Sequence, residues 1–131
     1  MIKRILLVVM AVFYVCAGIN HFASPDVYLP MMPPYLPWHR ALILISGAAE
    51  VGLGLAILVP SLRSMAAWGL ILMLVAIFPA NLHIALNNVP LFGNTEGFGG
   101  WNWARLPFQA VLIAGAWWYT DHQNPADRRR D

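Results

Sequence analysis

The chain has 131 residues, of which 60% are hydrophobic and only 11% are charged, whereas a soluble domain usually carries about 25% charged residues. So few charges exclude an ordinary water-facing surface, and a net charge of +2 without a basic stripe interleaved with aromatic residues excludes a nucleic-acid partner. The length fits a single domain over residues 1–131, and the lone Cys16 cannot form an internal disulfide.

The first apolar run covers residues 5–22 and follows Lys3 and Arg4. As a helix it would extend about 27 Å, which nearly matches the hydrocarbon core of a bilayer. A cleaved signal peptide is the alternative, because basic residues precede the run and small residues lie within it. The lack of a good small-x-small cleavage site favours a transmembrane helix.

Three further runs predict three more spans, over residues 41–58, 65–86 and 102–120. The second span is interrupted by Glu50 alone, and the third contains Pro79, which removes a backbone hydrogen bond and should kink the helix. The fourth has few uncharged residues between Arg105 and Asp121, so it needs a snorkelling Arg105 or residues 101–104 to cross the bilayer. We therefore predict an all-α fold, an integral membrane bundle of four transmembrane helices.

The placement of basic residues predicts the orientation of this bundle. One side would carry six basic residues and the other two: Lys3, Arg4, Arg63, Arg128, Arg129 and Arg130 against Arg40 and Arg105. Because cytoplasmic loops are enriched in Lys and Arg, both termini are expected on the cytoplasmic side. The connection over residues 25–37 contains five prolines and should form a rigid, turn-rich cap on the outer side.

Glu50 is the most informative residue, because an ionised, unpaired carboxylate near the bilayer centre is costly. We expect it to face protein and either to have a polar partner or to keep its proton. Depth places the polar residues of the other spans in the outer half of the membrane: Asn20 and His21, then Asn81 and His83, then Arg105 and Gln109. With Glu50 they form a predicted outward-facing binding pocket, in which a histidine, Gln109 or water joins Arg105 to Glu50.

Other interpretations of this polar set stay open. Buried Asn, Gln and Ser side chains often only hold transmembrane helices together, and Arg105 can snorkel to headgroups. A metal site is not expected, because neither a His-x-x-x-His nor a Glu-x-x-His pair occurs. Asn81 and His83 lie about 200° apart around a helix, so both reach the pocket only if Pro79 unwinds the helix locally.

Five sequence blocks resemble the DoxX-like family of small bacterial four-helix membrane proteins. They are AGINHF at 17–22, MPPYLP at 32–37, SGAAE at 46–50, FPAN at 78–81 and RLPFQ at 105–109. The resemblance covers about residues 15–119. It implies a four-helix bundle with a shared polar set: Asn20, His21, Glu50, Asn81, Arg105 and Gln109.

The resemblance implies functions of different classes. Some DoxX-like proteins are linked to quinone-coupled sulfur oxidation or oxidative-stress complexes, and similar animal proteins are assembly chaperones for nicotinic acetylcholine receptors. The chain lacks the paired cysteines and the flavin, nucleotide or iron–sulfur motifs of a self-sufficient redox enzyme. We expect a bacterial inner-membrane accessory protein of a redox or stress-response system, without catalytic activity of its own, that binds a quinone-like or small amphipathic ligand and a membrane or redox protein partner. The alternatives are an assembly factor and a small transporter that acts as an oligomer.

Overall fold

The computed structural model describes residues 1–91, 96–97 and 99–120, and all regular elements within these ranges are helical. Four α-helices follow one another: α1 (Ile2–Ala23), α2 (His39–Ala56), α3 (Arg63–Leu86) and α4 (Gly100–Trp117). The all-α class is therefore confirmed for this part of the chain. The basic residues 128–130, which contributed to the predicted orientation, lie outside the described residues.

Three of these helices, α1, α2 and α3, are long and apolar enough to cross a membrane. The fourth is not among them, although its 18 residues equal the length of α2. It carries the polar residues Asn102, Arg105 and Gln109, which lower its hydropathy.

The observed helix ends differ from the predicted spans by a few residues. The first helix already begins at Ile2 and includes Lys3 and Arg4, since the Ile5 amide donates to the Met1 carbonyl. Hydropathy locates the apolar core of a helix, whereas the backbone hydrogen bonds continue into polar residues. The last helix ends at Trp117, before the predicted limit of 120, because the amides of Tyr119 and Thr120 make tighter turn bonds.

The connection between α1 and α2 forms a compact cap over one end of the bundle, here called the cap end. It contains two short 3-10 helices, Pro25–Val27 and Leu29–Met31, as its proline content predicts. An exposed ion pair joins Arg40 to Asp26 at 2.9 Å. Beneath the cap lies a small buried apolar cluster against which Tyr28 packs: Met31, Ile84, Val89 and Leu91.

The fourth helix lies along the third for its whole length. Three hydrogen bonds mark this course from the cap end to the opposite end: Asn102 to the Val89 carbonyl, Asn81 to Gln109, and Ser64 to the Thr120 carbonyl. At the opposite end the Tyr119 hydroxyl also donates to the Lys3 carbonyl at 2.8 Å. The α4 helix therefore runs alongside α3 between the two ends of the bundle, and the residues just after it reach the start of α1.

The helices of the bundle are not equally close. Backbone contacts join α1 to α2, α2 to α3 and α3 to α4, whereas among the described residues no Cα of α1 comes within 8 Å of a Cα of α4. Those two helices meet only through side chains, of which Phe13 and Phe108 are one pair, with ring centroids 6.1 Å apart. Among the described residues, the backbones therefore approach closely within α1–α2, α2–α3 and α3–α4, and the first and last helices touch through side chains alone.

Candidate functional site

His21 on α1 faces Glu50 on α2. The Nδ1 atom of His21 lies 2.9 Å from the Ile43 carbonyl oxygen, and because a carbonyl can only accept, Nδ1 carries a hydrogen. The other ring nitrogen, Nε2, lies 3.6 Å from Glu50 Oε2. A neutral imidazole therefore presents a lone pair to the carboxyl group, so that a single proton, on either Nε2 or Oε2, makes the pair attractive.

Ser46 orients the imidazole from behind. Its hydroxyl donates to the same Ile43 carbonyl at 2.9 Å, and its oxygen lies 3.0 Å from His21 Nδ1, close enough to accept. Ser46 and Glu50 lie on the same face of α2, because they are four residues apart. A second partner of this kind fixes the tautomer and the ring orientation of a histidine.

Two buried oxygen atoms at this site lack hydrogen-bond partners within the described part of the chain, Glu50 Oε2 and the Tyr14 hydroxyl. Glu50 is 8% exposed and Tyr14 is 2% exposed, and the two groups are close enough to interact electrostatically. A buried polar group without a partner costs about 1–3 kcal/mol. The site can therefore gain stability by holding a molecule that donates or accepts hydrogen bonds.

Tyr28 covers the site from the cap. Its ring lies over the His21 ring, with centroids 4.0 Å apart and an angle of 39° between the planes. Its hydroxyl oxygen accepts a hydrogen bond from Asn20 Nδ2 at 2.8 Å. Sequence reasoning assigned Tyr28 no role, and no spacing signal predicts it, because the 3-10 turns of the cap bring it back over α1.

Asn81 and Gln109 lie apart from the histidine–glutamate pair and join α3 to α4. Asn81 Nδ2 donates to Gln109 Oε1 at 2.7 Å, and Gln109 Nε2 donates to the Leu74 carbonyl oxygen. This carbonyl is next to that of Val75, which has no intrahelical donor because Pro79 lacks an N–H. Both the oxygen and the nitrogen of the Gln109 amide thus bond to groups of α3, as expected for a polar side chain that holds two helices together.

The remaining candidates take separate positions. His83 contacts Asn87 near the end of α3, with Nδ1 3.0 Å from Asn87 Nδ2. Arg105 is half-buried on α4 and lies close enough to the Tyr28 hydroxyl to interact electrostatically. Between described residues no direct hydrogen bond joins Arg105 to Glu50, and of the predicted bridging groups His21 is the one that faces Glu50.

The chemistry of the site is therefore that of a proton-sharing pair in a low-dielectric interior. Within the ranges that the structure describes, no group of three or more His, Cys, Asp or Glu side chains could hold a metal ion. The pair can exchange one proton with a bound polar group without turning the imidazole, because Ile43 and Ser46 hold its other side.

Comparisons with known proteins identify one match. A family model described as a domain of unknown function, DUF8561, matches residues 10–120. The matched segment includes the whole His21–Glu50 site and its cap. No curated protein and no solved structure matches the chain.

Proposed function

We propose a function for this chain, which belongs to the DUF8561 family of domains of unknown function, from the geometry of its site. It is an accessory membrane protein of a redox or stress-response system, and it binds the polar head of a quinone-like or other small amphipathic ligand beside His21 and Glu50. One observation supports this function above all: Nε2 and Oε2 face each other at 3.6 Å, and Oε2 has no other partner among the described residues.

The ligand would complete the hydrogen bonds that the protein leaves open. A carbonyl oxygen on the head accepts from the proton of the pair or from the Tyr14 hydroxyl, and a hydroxyl on the head donates to Oε2. Hydrogen bonds between such a head and the pair are expected to be strong in this interior, because hydrogen bonds to ionised partners are shorter and stronger than neutral ones. Proton exchange with the ligand then needs no movement of the backbone.

The proposal includes four spans with both termini on the cytoplasmic side. The position of α4 supports the fourth span, because α4 runs alongside α3 and the residues just after it contact Ser64 and Lys3 at the end opposite the cap. Support for the orientation comes from the end opposite the cap, where Lys3, Arg4 and Arg63 lie. Placement in a bacterial inner membrane and membership of the DoxX-like group rest on the sequence blocks described above.

Native mass spectrometry tests the function. Protein extracted from its own membrane in mild detergent would be compared between wild type and Glu50→Gln, with Glu96→Gln as a control because Glu96 is exposed. We expect a co-purifying small molecule in wild type and control that is lost in Glu50→Gln at matched thermal stability. Wild-type protein that carries nothing, or bulk lipid that the substitution leaves unchanged, would contradict the proposal.

A second candidate function is that of an assembly factor that holds a helix of a client membrane protein. The separation of the α1 and α4 backbones favours it, together with exposed apolar side chains beside the gap such as Phe13 and Phe108. A photoreactive residue in place of Phe13 would then become cross-linked to a protein helix. Cross-links to small molecules alone would exclude this candidate.

A further inference from the structure

The contact between α1 and α4 forms a seam of side chains, defined here by Met10, Phe13 and Ala17 of α1 and Arg105, Phe108 and Gly115 of α4. The packing is loose at one end, since a methyl group built on Gly115 would meet the Met10 sulfur at 3.9 Å. In the middle, the exposed Phe13 and Phe108 rings meet edge to face at 6.1 Å.

Above this aromatic pair, toward the cap end, the seam is lined by a small residue and a cation. Ala17 follows Phe13 by four residues and Arg105 precedes Phe108 by three, so each lies one helical turn nearer the cap. Ala17 remains partly exposed, although a methyl side chain is easily buried when a neighbouring helix packs against it. The seam is therefore open to the lipid at this level.

Behind the seam lie the polar atoms that lack partners. The Phe13 ring contacts the Tyr14 ring, with centroids 5.3 Å apart in an edge arrangement. Tyr14 points into the interior, where its hydroxyl and Glu50 Oε2 are without hydrogen bonds from the described residues. A head group that passes Phe13 thus arrives beside the His21–Glu50 pair.

Arg105 lies on the same route. Its half-buried guanidinium makes no hydrogen bond or ion pair with the described residues, and the Tyr28 hydroxyl is close enough to interact with it electrostatically. A guanidinium presents five N–H donors, and a cation at this depth needs an acceptor. Carbonyl or carboxylate oxygens of a ligand would provide one.

The part of the cap end that the structure describes offers no comparable path. Tyr28 lies over His21, and the apolar cluster beneath the cap is buried, with Met31, Val89 and Leu91 each no more than 7% exposed. A molecule from the water would have to displace this packing. A molecule dissolved in the bilayer instead meets the Phe13–Phe108 contact in the middle of the seam.

We infer that the α1/α4 seam is a lateral entrance for a bilayer-dissolved amphiphile whose head carries carbonyl or carboxylate oxygens. The head binds at Arg105, beside the Tyr28 side chain that covers His21, and the apolar tail lies against Phe13 and Phe108. This inference rests on the proposed function in that the entrance leads to the same site. It adds the source of the ligand, which is the lipid phase, and the acceptor chemistry of its head.

A photoreactive long-chain fatty acid, with a diazirine in its chain, tests the entrance on the full chain in lipid nanodiscs. We expect saturable labelling of peptides that contain Phe13 or Phe108, measured by mass spectrometry. Ala17→Phe should abolish it by filling the seam, whereas Ile19→Phe, on an exposed position of the same helix, should not. Arg105→Gln should weaken it about tenfold, as expected for the loss of a charged hydrogen bond.

Each of these results would overturn the inference: labelling that does not saturate, equal labelling of the seam by a hydrocarbon with the same diazirine chain and no oxygen atoms, or labelling that Ala17→Phe leaves intact. If Ala17→Phe does not fold, the smaller Ala17→Leu replaces it.

Glu50→Gln separates this inference from the proposed function. If seam labelling persists in Glu50→Gln while no endogenous ligand is found, the entrance is supported and the proton-sharing role of the pair is not. An endogenous ligand that Ala17→Phe leaves bound would support the site and refute the entrance.

Discussion

Gly18 of α1 lies directly against the Gly47 carbonyl of α2, so that a methyl group built on Gly18 would come 2.6 Å from that oxygen. Each glycine precedes a residue of the site by three positions, Gly18 before His21 and Gly47 before Glu50. The same close approach of the two backbones therefore sets the distance between the imidazole and the carboxyl group.

Gly47→Ala is expected to destabilise the protein, because the added methyl group would overlap with the His21 side chain and the Gly18 carbonyl. Overpacking of this kind typically costs about 1–3 kcal/mol. Gly52→Ala is a matched control on the same helix, since a methyl group there meets nothing within 4 Å. Thermal unfolding in detergent measures the difference, and equal midpoints for the two variants would refute the close contact.

Gln109→Leu is expected to lower stability without a specific loss of ligand, because it removes the acceptor of the Asn81 amide and the hydrogen bond to the Leu74 carbonyl. Interhelical hydrogen bonds in membranes contribute about 1–2 kcal/mol. A cycle with Asn81→Ala checks the pairing, since the double variant should cost less than the sum of the two single changes. Additive effects would show that the two amides act independently.

Tyr28→Phe and Tyr28→Ala are expected to differ in their effect on His21. The Phe variant keeps a ring over the imidazole and loses only the acceptor of the Asn20 amide, at a cost of about 1 kcal/mol. The Ala variant also removes the ring, so the NMR shifts of the His21 ring should move much further. Tyr35→Phe is the control, because Tyr35 is exposed in the same cap. Similar His21 shifts in both Tyr28 variants would contradict the stacking.

The membrane topology predicts opposite labelling of two connections. In a Cys16→Ser background, Tyr35→Cys should react with an impermeant maleimide in intact cells, and Ser61→Cys only after permeabilisation. Both positions are exposed. A reporter fused after residue 131 should be cytoplasmic if α4 crosses the membrane. If the cysteines label as expected but the reporter is external, the chain has three spans and α4 does not cross the membrane.

Much of the helical architecture follows from the sequence, because hydropathy and proline placement are local properties. Apolar runs located α1, α2 and α3 to within a few residues, and the prolines between positions 25 and 37 predicted the turns of the cap. The expectation that Glu50 faces protein also agrees with its burial. The spacing of Gly47 and Gly54 around it is a property of one helix face.

The partners of the polar residues were decided only by the tertiary structure. All seven candidates lie on helices, but which of them meet depends on the rotation and depth of each helix against its neighbours. His21 therefore contacts Glu50, whereas Gln109 accepts a hydrogen bond from Asn81 and Arg105 lies at the seam. Tyr28 joined the site because the cap folds back over α1. Contacts of this kind are set by the geometry between helices, which residues within one helix do not encode.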